Sequence, residues 1–404
     1  MAKYCAPGKG DSISCFSLSS LENIASQWNS QNREDPINLS KNKLVLWKRI
    51  KEKMRKIAKC PEEWCWLDTD LLKNIKDHEI LEKTFRPKMP FPWKKNIETW
   101  LNTMDIANVL EQYPLKFKDF EFIGPVPLDF DKKMDVGHCV VNELCNLNIE
   151  NLYRKGKRKL GIVFNFDPHT KKGSHWVALF ADFNKGGIYY FDSYGYKPLK
   201  EIANLLSRIH TQTNNALYKR GIEGVRHITN EHATVCKVEQ VDSTTIKFSC
   251  KEFVKGLYKG DLVQTCNLGK VKLNGRLTKR TMNKLCQNCK EVRMVKDIDS
   301  RKKLVILDRP LTEASSGCNG MIHKCNKIYI NKNRHQYKHS ECGTYSIYFI
   351  TRLLHGTPFH KLGNGKIILD DKMNRNRTYF YRPNHDQTDE NEWLSEMFKD
   401  ENLS

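Results

Sequence analysis

The chain has 404 residues, 39% hydrophobic, 10% aromatic and 28% charged, with a formal net charge of +21. This is enough for a real core and suits two or three domains, and with no apolar run of about 18 residues no membrane span is expected. The charge favours a polyanion such as nucleic acid as partner, against the plainer reading of solubility alone.

The first segment, MAKYCAPGKGDSISC, has no apolar core behind Lys3 and does not read as a secretory signal. The fourteen cysteines are irregularly spaced, so free thiols in a reducing compartment are expected rather than a disulfide scaffold. Residues 1–115 read as a mainly helical accessory domain. Ser19 and Glu22 form a capping-box pattern, followed by Leu21, Ile24, Ala25 and Trp28 at helical spacing. A second helix is expected over Ser40–Cys60, with Leu44, Trp47, Ile50, Met54 and Ile57 on its apolar face. Its other face carries Lys48, Arg49, Lys51, Lys53, Arg55 and Lys56, either solvated or facing an anionic partner. The three prolines of TFRPKMPFPW allow only an extended strap. Another helix runs near Met104–Tyr113 and stops at Pro114.

From Lys159 the pattern changes to strands: KLGIVFNFD, HWVALFADF and, after an NKGG turn, IYYFDSYG. Pro198 then opens a helix with Ile202, Leu205, Leu206 and Ile209. Residues 219–302 hold short β-rich runs and read as an insertion. It divides a core of 116–218 and 303–385, ahead of an acidic tail, 386–404.

The chemistry gathers at three places. His175 opens a strand after Gly173 and Ser174, where a histidine can face a cleft; alone, it is more often a bland core or surface residue. Asp192 ends the following strand. An antiparallel hairpin brings the two to one sheet edge, where the carboxylate can fix the imidazole tautomer. Cys342 precedes Gly343 and an apolar helix, so the helix N-terminus favours its thiolate. Gln336, in a Q-x5-C-G pattern, can donate to an oxyanion beside the Cys342 N–H. A rival His138-Cys139 pair lacks any such companions.

As a set, His175-Trp176, Asp192, Gln336 and Cys342-Gly343 resemble the SUMO-protease and adenovirus-endopeptidase superfamily of cysteine proteases. Glu341 stands where SUMO proteases usually carry Asp. SCFSLSSLENIA, TFRPKMP, WLNTMDIANVLEQY, FNFDPHTKKGSHWVALFADF, FDSYG and HSECGTYSIYFI resemble the virion maturation proteases of large nucleocytoplasmic DNA viruses. That likeness covers most of the chain outside 219–302. It implies an α+β, papain-like core with a mostly antiparallel sheet packed on the nucleophile's helix. It implies a thiol endopeptidase that cleaves viral core or capsid precursors after small residues, Gly-Gly or Gly-X, during maturation. Such an enzyme is packaged in the virion after assembly in the host cytoplasm. A deSUMOylating or deubiquitinating isopeptidase is the alternative. Trp176 is read as core packing or substrate contact, and Gly343 as room for close approach of substrate. No cofactor is required; the C-x2-C of Cys286 and Cys289 invites zinc but lacks a second tight pair.

Overall fold

The segment before residue 86 builds a core of its own around Phe16, Trp66 and Phe85. In the computed structural model, residues 4–58, 60–135, 137–183, 187–219, 236–248, 262–267, 289–308, 310, 320–324 and 327–383 are described. Helix α1 (Leu18–Gln31) buries Leu21, Ile24, Ala25 and Trp28, as their spacing predicts. Its cap, however, is Ser17, which is extended at φ −73°, ψ 165° and accepts from the Ser20 N–H. Ser19 already lies inside the helix. Helix α2 (Lys43–Met54) is shorter than expected because Asn42 caps it, accepting from Leu44 N and Val45 N. Part of its basic face is neutralised: Lys53 and Lys56 both pair with Asp35.

The proline strap is extended only from Phe85 to Pro90, bridged to Cys5 at Phe85 and to Arg382 at Lys88; Phe91–Lys94 then turns into a 3-10 helix, whose first turn accepts Pro92. Beyond it the chain changes allegiance. Met89, Trp93, Leu101 and helix α3 (Thr103–Leu110) pack in the same cluster as the Cys342 helix. The segment 1–115 is therefore divided between two cores.

The central sheet has the order β1 (Phe120–Val126), β2 (Lys159–Asn165), β3 (Trp176–Asp182), β4 (Gly187–Phe191) and β11 (Lys327–Ile330). Its inner pairings, β2–β3 and β3–β4, are antiparallel, whereas β1–β2 and β4–β11 are parallel. The sheet is thus mixed rather than mostly antiparallel, because long crossovers precede β2 and β11 and permit parallel pairing. One face packs on Tyr345, Phe349 and Ile350 of the Cys342 helix. The other packs on Ile202, Leu205, Leu206 and Ile209 of helix α4 (Lys200–Lys219). Burial on both faces explains the near-continuous apolar strands.

Among the described residues six further strands stand between α4 and β11: β5 (Cys236–Gln240), β6 (Thr245–Phe248), β7 (Leu262–Asn267), β8 (Cys289–Asp299), β9 (Leu304–Leu307) and β10 (Gly320–Lys324). They close into a barrel, since β10 pairs with both β5 and β7. β8 and β9 are antiparallel neighbours across the boundary expected at 302, so the barrel runs on to Lys324.

Among the described residues three disulfides, Cys5–Cys15, Cys60–Cys65 and Cys139–Cys145, replace expected thiols. Sequence separations of 10, 5 and 6 let short loops bring each pair together. Among the described residues no helix is long and apolar enough to cross a membrane. The zinc alternative at Cys286 and the Cys289 side chain lies outside the described residues, as does the tail from 386.

Candidate active site

His175 lies one residue before β3 and Asp192 one residue after β4. The antiparallel register, Ala178 opposite Phe191, brings both to the same sheet edge. His175 Nε2 is 2.9 Å from Asp192 Oδ1. Asp192 is fully buried, and its Oδ1 also accepts from the Tyr194 N–H at 2.8 Å. Asn331, just past β11, clamps the Asp192 backbone: its Oδ1 accepts from Asp192 N at 2.8 Å and its Nδ2 donates to Asp192 O at 2.7 Å. Asp192 is thus held from both flanking strands, its carboxylate by His175 and its backbone by Asn331.

The second half of the site arrives with helix α5 (Cys342–Leu354). Cys342 is its first residue, 2% exposed, and the one free cysteine among the described residues. The N-cap residue, Glu341, makes no side-chain cap bond, so the helix N-terminal N–H groups stay directed at the thiol's surroundings. The Cys342 thiol lies within electrostatic reach of the His175 ring. Burial opposes a charge on that ring, but Asp192 and Cys342 outweigh it and push the His175 pKa up to about 9. The ring is held edge-on to Phe166 at 5.0 Å and stacked on Tyr194 at 4.9 Å.

Gln336 is also fully buried. The Ser193 hydroxyl donates to its Oε1 at 2.6 Å, and its Nε2 donates to Lys338 O at 2.8 Å. The first bond fixes the amide orientation, and the second leaves one N–H of Nε2 for another acceptor. His175, Asp192, Gln336 and Cys342 are therefore drawn together from two distant stretches of chain.

Trp176 takes the first of its two expected roles, core packing, whereas Gly343 packs against the chain itself. Trp176 is 6% exposed and donates to Leu101 O at 2.9 Å. A Cβ on Gly343 would stand 3.0 Å from Leu101 Cβ, so glycine there allows α5 to pack on the 99–106 segment. Both residues seat that segment, and its neighbour Trp100 is the exposed aromatic, 43% accessible. Trp100 and Glu98 face Tyr337, Lys338, His339 and Ser340 across a pocket of about 550 Å³.

The supporting residues were not signalled by any motif. Arg377, on helix α6 (Asp370–Phe380), pairs with Glu341 at 3.0 Å, both side chains fully buried. Burial holds the Glu341 carboxyl above its ordinary range, against the pull of Arg377. Asp370 Oδ2 accepts from the N–H groups of Tyr337 and Lys338 at 2.8 and 2.9 Å. Together they fix the turn from Gln336 to Cys342.

The chain is 33% identical over 224 residues to a protein of Acanthamoeba polyphaga mimivirus named as a thiol protease, an alignment covering 50% of this chain and 70% of that one. The chain belongs to the viral SUMO-protease-like cysteine proteases. It is a cysteine-type peptidase. The protease is also 23% identical over 185 residues to the SUMO-1 cysteine protease of African swine fever virus, covering 42% of this chain and 66% of the relative. The crystal structure of the selenomethionine form of the African swine fever virus protease superposes with a TM-score of 0.49 at 16% identity, over 94% of this chain and 95% of that one. No protein-family model matches the sequence.

Proposed function

We propose that the protease is a maturation endopeptidase that cleaves viral core or capsid precursors after small residues, with Cys342 as nucleophile. His175 takes the thiol proton, holds it as imidazolium beside the thiolate, and gives it to the leaving amine. Asp192 orients the ring and stabilises its charge. Attack of the sulfur on the scissile carbonyl produces an oxyanion, which accepts from the Cys342 N–H and the remaining N–H of Gln336 Nε2. Water then cleaves the thioester, with His175 as base.

The observation that carries this reading is the imidazole bound to Asp192 at 2.9 Å, with Cys342 at the head of α5 close enough to raise the ring's pKa. The burial of Cys342, 2% exposed, supports a preference for small residues beside the cut.

The test sets peptides from viral core precursors, with Gly-Gly or Gly-X junctions, against fluorogenic SUMO and ubiquitin conjugates. Cleavage of the precursor peptides, abolished in Cys342→Ala, supports maturation. Efficient turnover of SUMO conjugates with the precursors left intact replaces this reading with an isopeptidase.

A further inference from the structure

Between Asn331, which clamps Asp192, and Gln336 lies Arg334, an exposed cation beside the site. Its Nε donates to Gln336 O at 2.8 Å. Its guanidinium carbon lies 5.3 Å from the Tyr194 ring and 4.9 Å from the Tyr337 ring. Tyr194 in turn stacks on His175 at 4.9 Å. The guanidinium therefore belongs to a stack that ends on the imidazole, and its orientation is set before any substrate arrives. Stacking uses the faces of the guanidinium and the Gln336 carbonyl uses Nε. The two terminal nitrogens remain, in the fork geometry that matches a carboxylate.

Arg334 forms no ion pair among the described residues. Lys338, four residues on, is paired with both Glu98 and Asp371. A freely solvated arginine would not need two rings and a carbonyl to fix it. A pre-oriented cation without a counter-ion fits a partner that comes and goes.

We propose that Arg334 is a specificity-determining residue, whose free edge forms a subsite for an Asp or Glu side chain of the protein substrate next to the cleavage point. This rests on the cysteine-protease reading of the adjoining site and adds the substrate's charge to it. The subsite faces water, so the gain is modest, about five- to tenfold in kcat/KM for a carboxylate over its amide.

The test digests a proteome-derived peptide library with the full chain and reads cleavage sites by mass spectrometry. Matched peptides with Asp, Asn, Glu, Gln or Lys at each flanking position then give kcat/KM. One flanking position should favour the carboxylate. That preference should shrink in Arg334→Gln and turn toward Lys in Arg334→Glu; the position is exposed, so folding is not at stake. An active wild type with no acid-over-amide preference at any position, or a preference that survives Arg334→Glu, overturns the subsite and leaves the protease reading intact. A wild type that cleaves nothing overturns that reading and the subsite with it.

Discussion

Replacing Arg377 with methionine removes the support behind Cys342 without touching any group assigned to the chemistry. The guanidinium donates to Glu341 Oε2 from Nε at 3.1 Å, to Ser340 O at 3.0 Å and to Thr99 O at 2.8 Å. Its partner carboxylate is fully buried, so methionine strands a charge where water cannot reach it. Removing one member of a buried pair costs about 3–5 kcal/mol, more than the two lost carbonyl contacts would cost alone. Trp93, 4.6 Å from the guanidinium, provides a fluorescence reporter for urea titrations. The double variant Arg377→Met, Glu341→Gln removes the stranded charge and should recover most of the loss. The pH dependence has a definite sign. Burial already raises the folded-state pKa of Glu341, and losing Arg377 raises it further. A carboxyl raised in the fold favours folding at low pH and loses that advantage as pH rises through its folded pKa. The single variant's deficit should therefore narrow on acidification from neutrality toward the ordinary carboxyl range. A loss under about 1 kcal/mol, or a double variant no more stable than the single one, would refute a tightly coupled buried pair.

Gln336→Ala should lower kcat by about 10²–10³ with KM little changed, because its free N–H acts on the oxyanion; an effect confined to KM would make it a substrate-binding residue. The His175 pKa is raised to about 9, so its contribution to stability is complete below the ordinary 6.5 and is lost as pH rises through about 9. Activity should fall over the same upper range, and a profile still flat at pH 10 would contradict the charged pair. Limited iodoacetamide without reductant should label Cys342 ahead of the six disulfide-bonded cysteines, Cys5, Cys15, Cys60, Cys65, Cys139 and Cys145, and lost activity should track that label. His175→Ala should slow this labelling; mass spectra showing Cys139 modified first would identify the wrong sulfur.

The order His175, Asp192, Gln336, Cys342 was readable because residue type and strand position carry the chemistry locally. The residues that hold them were not. Asn331 meets Asp192 across 139 residues and Arg377 meets Glu341 across 36, and no local pattern encodes such pairings. Strands β2 to β4 were legible as long apolar runs. β1 was missed because FEFIGPV contains Gly124 and Pro125, which an edge strand tolerates and a central one does not. β11 has only four residues. The barrel's extent was misjudged because a hairpin, β8–β9, spans the apparent change in composition.

The split in the chain also sets a clock on synthesis. Asp192 and its clamp Asn331 are 139 residues apart, and the whole barrel is made between them. At about 5–20 residues per second, a ribosome needs roughly 7–28 s to pass from one to the other. When Asp192 has just been joined, β11, Gln336 and Cys342 do not yet exist. A nascent chain at that stage carries His175 and Asp192 without Cys342, and the proposed site is complete only once β11 has docked against β4 and helix α5 has followed.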